Sequence, residues 1–209
     1  GVSIYANNNA GIRVQGGSSI ISNNLLGVNA TGTGAGNIDY GVEQTGGETT
    51  ISENYIALNT DAGIYIDGGT RSTIQLNHLE TNGNSACSDN ILVEDGSTVV
   101  IQENLRATAA ASGIDIDDVD GVTVSNNNIL SSGQNGGNCS GNYDGMAIKL
   151  AGNGSVIQQN IIYSNGSEGI AVLSGASNTI SQNSIYANGT VTPSLGIDLD
   201  SDGVTLNDS

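Results

Sequence analysis

"GIYIDGGTRSTIQLNHL", residues 63–79, holds one complete unit of a pattern that runs through the whole chain. Ile64 and Ile66 alternate with Tyr65 and Asp67, the period-2 signature of a short strand with one apolar face. Gly68 and Gly69 break that strand. A second apolar stretch then reads Ile74-x-x-Asn77, with Leu79 two places further on. The same apolar-x-x-Asn signature occurs seven times and aligns Asn24, Asn54, Asn77, Asn104, Asn127, Asn160 and Asn183. About ten residues before each stands a strand such as "GIRVQ", "NILVE", "GIDID" or "GMAIK", and an eighth, "GIDLD", begins at Gly196.

These repeats of 23 to 33 residues are too short for a helix plus a strand each, and they carry no helical periodicity. Coiling the chain so that like strands stack in parallel buries the isoleucines. Each then lies over its counterpart one coil below, about 4.8 Å away. The recurring asparagines are expected to stack as a hydrogen-bonded ladder and to tolerate the left-handed backbone of a sharp turn. A second asparagine follows five places after several of them, at Asn29, Asn59, Asn82, Asn165 and Asn188.

This pattern closely resembles the parallel β-helix repeat of the pectate-lyase-like superfamily, along essentially the whole chain. The resemblance implies an all-β fold: a single-stranded, right-handed parallel β-helix (solenoid) of about eight coils, three short strands per coil, with residues 1–209 as one domain. "GIxVx" would be the first strand, "GGSS" or "SGAS" the short first turn, and the asparagine ladder the second turn. The long variable segments would be the third turn. The closing "SLGIDLDSDGVTLND" is similar to a segment that recurs near the end of β-helix regions in large secreted bacterial surface proteins. The superfamily spans lyases, hydrolases, epimerases, adhesins and phage fibres, so it implies fold more narrowly than function.

Composition narrows the function classes. Four basic against twenty-one acidic residues give a net charge of −17, which argues against nucleic acid and anionic membranes. No apolar run reaches membrane-spanning length. Gly1 in place of an initiator methionine and the lack of a capping helix suggest a mature piece of something longer, or like subunits assembling end to end. Cys87 and Cys139 lie in the long segments "TNGNSACSDN" and "SSGQNGGNCSGNYD". They fit either one disulfide of an exported protein or two free thiols. In the fourth coil Arg106 stands where the others carry leucine or isoleucine, so Leu105 is expected to take the inner place through a local shift.

Chemistry is expected on the outer face of the first strands, at their third and fifth residues. One outer column reads Arg13, Glu43, Tyr65, Leu92, Asp115, Ala147, Ala171, Asp198; its neighbour carries Asp67, Glu94, Asp117 and Lys149. In the enzymes this chain resembles, that face is the polysaccharide groove, and it implies Asp115, Asp117, Glu94 and Lys149 as catalytic candidates. Asp67, Tyr65 and Tyr143 would then bind substrate. Three readings compete for the patch. Carboxylates on adjacent or alternate coils would suit a retaining or inverting glycosidase. Acids holding calcium against a uronate, with Lys149 as base, would suit a lyase or epimerase. The third reading is the polar outer face of a very acidic solenoid. The arginines and histidine that most such enzymes place there are missing, and no Asn-Thr-Asp or Gly-His-Gly motif appears.

In "DLDSDGVTLND", Asp198, Asp200 and Asp202 before Gly203 match the opening of a calcium loop, with Asp208 as an off-register closing acid. His78 reads as a surface histidine. The expectation is therefore an extracellular or cell-surface structural or adhesive segment, binding polysaccharide or Ca2+ weakly, with polysaccharide lyase, epimerase or glycoside hydrolase as the alternative.

Overall fold

The structure is a computed structural model and describes residues 1–83, 87–134 and 145–199, with residues 106 and 107 described in backbone alone. The described residues form a parallel β-solenoid and contain no helix. One sheet stacks eight strands, from Ser3–Ile4 to Ser184–Tyr186, and holds the third strand of each coil. A thirteen-stranded sheet holds the first and second strands. These two rows merge because Ile12–Ser22 and Val42–Ser52 each run unbroken through the first turn. Among the described residues the full turns number about six, fewer than the roughly eight coils expected.

Period-2 alternation sets the core. Ile64, Ile91, Ile114, Ile148 and Ile170 align from coil to coil, and all are fully buried. Ile51, Ile74, Ile101, Val124 and Ile157 do the same on the second strands. Burying each such side chain contributes about 1.5–3 kcal/mol. At the corner of the unbroken strands Gly47 has φ +76°, and a Cβ there would stand 2.4 Å from the Gly17 carbonyl. Only glycine fits that corner.

The asparagines run as one hydrogen-bonded chain along the axis. In each step the Nδ2 and the backbone N–H of one asparagine donate to the Oδ1 of the next, at 2.9–3.1 Å from Asn24 through Asn104 to Asn183. The same Nδ2 donates to a second-strand carbonyl of the preceding coil, as from Asn104 to Ile74 at 2.9 Å. A second chain links Asn7, Asn37, Asn59, Asn82 and Asn90 and resumes from Ser132 to Asn165 and Asn188. Asn29 stands outside it and caps its own turn by accepting from the Thr31 and Thr33 amides.

Two expectations are corrected here. The left-handed residue is the one before each ladder asparagine: Asn23, Glu53, Leu76, Glu103, Asn126, Gln159 and Gln182, all at φ 55–59°. The ladder asparagine itself must keep its backbone N–H pointed along the axis, so the bend falls one residue earlier. Leu105, moreover, makes no inward shift. It pairs with His78 and Asn128, in the outward register, and is 41 % exposed.

Replacing Asn104 by Ala leaves several buried partners without their bonds, each costing about 1–3 kcal/mol. The melting midpoint of Asn104→Ala should therefore fall by several degrees. Asn183→Ala, at a half-buried rung, should lose much less. Equal losses in circular-dichroism melts of the two variants would count against the ladder as a source of stability.

Candidate functional site

On the first-strand face the backbone register brings Asp115 between Leu92 on one coil and Lys149 on the next. The expected columns placed Lys149 beside Asp117; the strand "GMAIK" is instead offset by two residues, so that Ala147 aligns with Gly113 and Lys149 with Asp115. An offset of two preserves which side chains face out and changes only their neighbours. A smaller slip after Ile66 aligns Asp67 with Asp95 rather than Glu94, and Asp67 stays exposed at its strand end.

The segments that enter the first strands wall this face. With the strand residues they enclose a cleft of 380 Å3, lined by Asp61, Cys87, Ser88, Asp89, Leu92, Glu94, Asp115, Asp117 and Lys149. That size falls at the small end of ligand sites, about 300–1,000 Å3. Asp115 was expected to face solvent and is 7 % exposed, because Lys149 and the 87–89 segment lie against it. Its Oδ2 accepts from Lys149 Nζ at 2.8 Å, while its Oδ1 is buried with no hydrogen-bond partner. Asp117 and Glu94 are exposed at the rim.

Asp89 is 6 % exposed, and its Oδ1 accepts from the Ser112 amide at 2.6 Å. Burial and then the neighbouring Asp115 push its carboxyl up to about 8, so it holds a proton at neutral pH. Burial also pushes Asp115 up, against the pull of Lys149. For Lys149, burial favours the neutral amine, but the bond to Asp115 and the charges of Asp115, Asp117 and Asp89 outweigh it and raise the pKa. These contacts favour the charged form of Lys149, whereas the base role considered above asks for the neutral amine.

Beside the cleft, Tyr40 stacks on Tyr65 at 4.5 Å, and the Tyr65 hydroxyl donates to Glu94 Oε2 at 2.5 Å. Burial and the acids around Tyr40, Asp61 foremost, push its phenol up to about 12. Burial and the Glu94 bond push Tyr65 up as well. Both rings are hydroxyl donors throughout the neutral range. Further along the same face, Arg13 Nε pairs with the buried Glu43 at 2.6 Å. On the third-strand sheet, well away from this cleft, His78 bonds to Glu80, which also accepts from the Tyr55 hydroxyl.

Of the remaining candidates, Tyr143, Cys139, Asp200, Asp202 and Asp208 lie outside the described residues. Asp198 aligns with Ala171 and is 3 % exposed. Among the described residues, no group of three or more His, Cys, Asp or Glu side chains is arranged to hold a metal ion. Sequence reasoning missed Asp89 and Asp61. The signal was positional: both fall one or two residues ahead of the residue that leads a first strand, Asn90 or Gly63, where the third turn comes back over the face.

Coils, ladder and cleft together describe a rod with one walled face. Residues 1–146 match the model of a family described as "Right handed beta helix region", and the chain belongs to that family. No curated protein matches the chain.

The raised carboxyl of Asp89 gives stability a pH dependence. The folded state keeps a proton that the unfolded chain releases near pH 4, so this residue's contribution falls as pH rises from about 4 to about 8. Above that the contribution is level. Asp89→Asn should flatten the decline and raise the melting midpoint at pH 9 relative to the parent. Parallel melting profiles for the two proteins between pH 5 and 9 would remove Asp89 as its source.

Proposed function

We propose that this chain is a structural and adhesive β-helix segment of an extracellular or cell-surface protein, and that its first-strand cleft binds carbohydrate. The cleft carries the reading. It combines a rigid strand floor, rim carboxylates at Glu94 and Asp117, a buried acid pair and an adjacent tyrosine stack. Saccharides are recognised by such convergent polar groups beside an aromatic surface. Ladder and coil pairing supply the rigidity that holds those groups in place without a ligand.

Titration calorimetry against a panel of neutral, anionic and cationic oligosaccharides should find at least one binder. Asp117→Asn together with Glu94→Gln should weaken it tenfold or more. Binding by none of the panel would end the carbohydrate reading.

A catalytic reading, glycoside hydrolysis, is favoured by one arrangement: two enclosed carboxyls, Asp89 and Asp115, line the same cleft, and burial and Asp115 push the Asp89 carboxyl up. Separated acid strengths are what such hydrolysis needs. Here Asp89 or an acid it influences would donate the proton, and Asp115 or Asp117 would be the carboxylate partner. Release of oligosaccharides that Asp115→Asn abolishes supports this reading; unchanged release in that variant removes it.

We further propose that Cys87 pairs with Cys139 over the short fourth coil. Alkylation of the denatured chain should label both thiols only after reduction. Labelling of both without reductant would overturn the pairing.

A further inference from the structure

We propose that the cleft is built for an amino sugar carrying a free ammonium group, rather than for the acidic polysaccharide that the family resemblance suggests. This inference rests on the carbohydrate reading of the same site.

The first observation is the charge of the walls. Asp61, Asp89, Glu94, Asp115 and Asp117 line the cleft, and Lys149 is the one cation among the described residues that line it. That cation is already engaged, with Nζ 2.8 Å from Asp115 Oδ2. A uronate entering here would meet acidic side chains on several sides and no unengaged cation among the lining residues. A protein of net charge −17 adds a long-range field that repels polyanions and concentrates cations.

The second observation is independent of the count of acids. Asp115 is more than nine-tenths buried, yet its Oδ1 has no hydrogen-bond donor. A buried acceptor without a donor is destabilising, and carboxylate oxygens most of all. Parallel pairing on both sides, to Leu92 and to Lys149, holds the residue in this position. An ammonium brings three donors and a positive charge, which offsets the acidic walls and the Asp115 carboxylate, whose Oδ1 itself lies just under the surface. One N–H can serve the Asp115 carboxylate and the others the rim acids Glu94 and Asp117. A neutral hydroxyl can donate but brings no charge; an N-acetyl group removes the charge and adds bulk.

The geometry assigns Glu94 a defined orientation for this role. The Tyr65 hydroxyl holds its Oε2 at 2.5 Å, and Tyr65 is itself braced by the stack with Tyr40. A carboxylate positioned in this way loses less freedom on meeting a ligand cation than a loose one.

The test is titration calorimetry of the whole chain with three tetramers: β-1,4-linked glucosamine, its fully N-acetylated form, and galacturonate. The glucosamine tetramer should bind at least tenfold tighter than the acetylated one, and the galacturonate should not bind. The preference should collapse in Glu94→Gln/Asp117→Asn and persist in Glu48→Gln, which removes an exposed acid elsewhere. Equal or tighter binding of the acetylated or galacturonate tetramer overturns the inference while leaving the carbohydrate reading standing. Undiminished glucosamine binding by the cleft variant also overturns it, since attraction to the acidic surface at large would then be the cause. No binding by any tetramer, nor by any member of the wider panel, ends both.

Discussion

One side-chain amide in each coil must give and receive along the solenoid axis, and most of the architecture follows from that demand. The asparagine Oδ1 takes two N–H groups from the neighbouring coil while Nδ2 reaches the next Oδ1 and a strand carbonyl. Aspartate lacks the donors, and serine lacks the reach for all of these bonds. Satisfying them fixes the distance from second strand to third strand in every coil. The chain can therefore vary in length only elsewhere, chiefly in the segment that returns to the next first strand. Repeats of 23 and 33 residues coexist on one ladder for this reason.

That freedom is what creates the site. The returning segments of successive coils come back beside the first-strand face, and residues 87–89 of one of them wall it. Asp115 has the sequence position of a solvent-facing residue and the environment of a core residue, because the 87–89 segment and Lys149 close over it. Burial then raises the pKa of Asp115 and of Asp89, so two acids a coil apart are both made weaker acids than an exposed aspartate. The rigid ladder and the variable third turn are two consequences of the same constraint.

How much of this was legible from residues alone depends on what carries the information. Inside and outside are set by period 2, so Ile114 and Ile116 could be placed in the core and Asp117 at the surface without coordinates. Neighbour identity is not set that way. The two-residue offset at Ala147 preserves the alternation and moves Lys149 onto Asp115, and nothing local in "GMAIK" marks it. Left-handed positions were also opaque. Glu53, Leu76 and Gln159 share no chemistry that favours φ near 56°; closure of the coil imposes it on whichever residue precedes the ladder. The second asparagine chain departs from its five-place spacing at Asn37 and Asn90, which become visible only when coils are stacked.

The ion pair at Lys149 is not by itself what singles out the cleft. Arg13 and Glu43 form a pair of similar geometry further along the same face, with Glu43 equally buried, and a pair of that kind is adequately explained as neutralising an acid that the coil has enclosed. Two things separate Asp115 from Glu43. It retains a buried oxygen without a donor, and it faces a second enclosed acid, Asp89, whose pKa burial and Asp115 itself push up. A purely structural arrangement gains nothing from either feature, since leucine at 115 would pack the same strand without an unmet acceptor. A surface that must accept a polar or charged group from outside gains from both. The departure from good structural economy, rather than the abundance of acid, is what the carbohydrate site proposed above rests on.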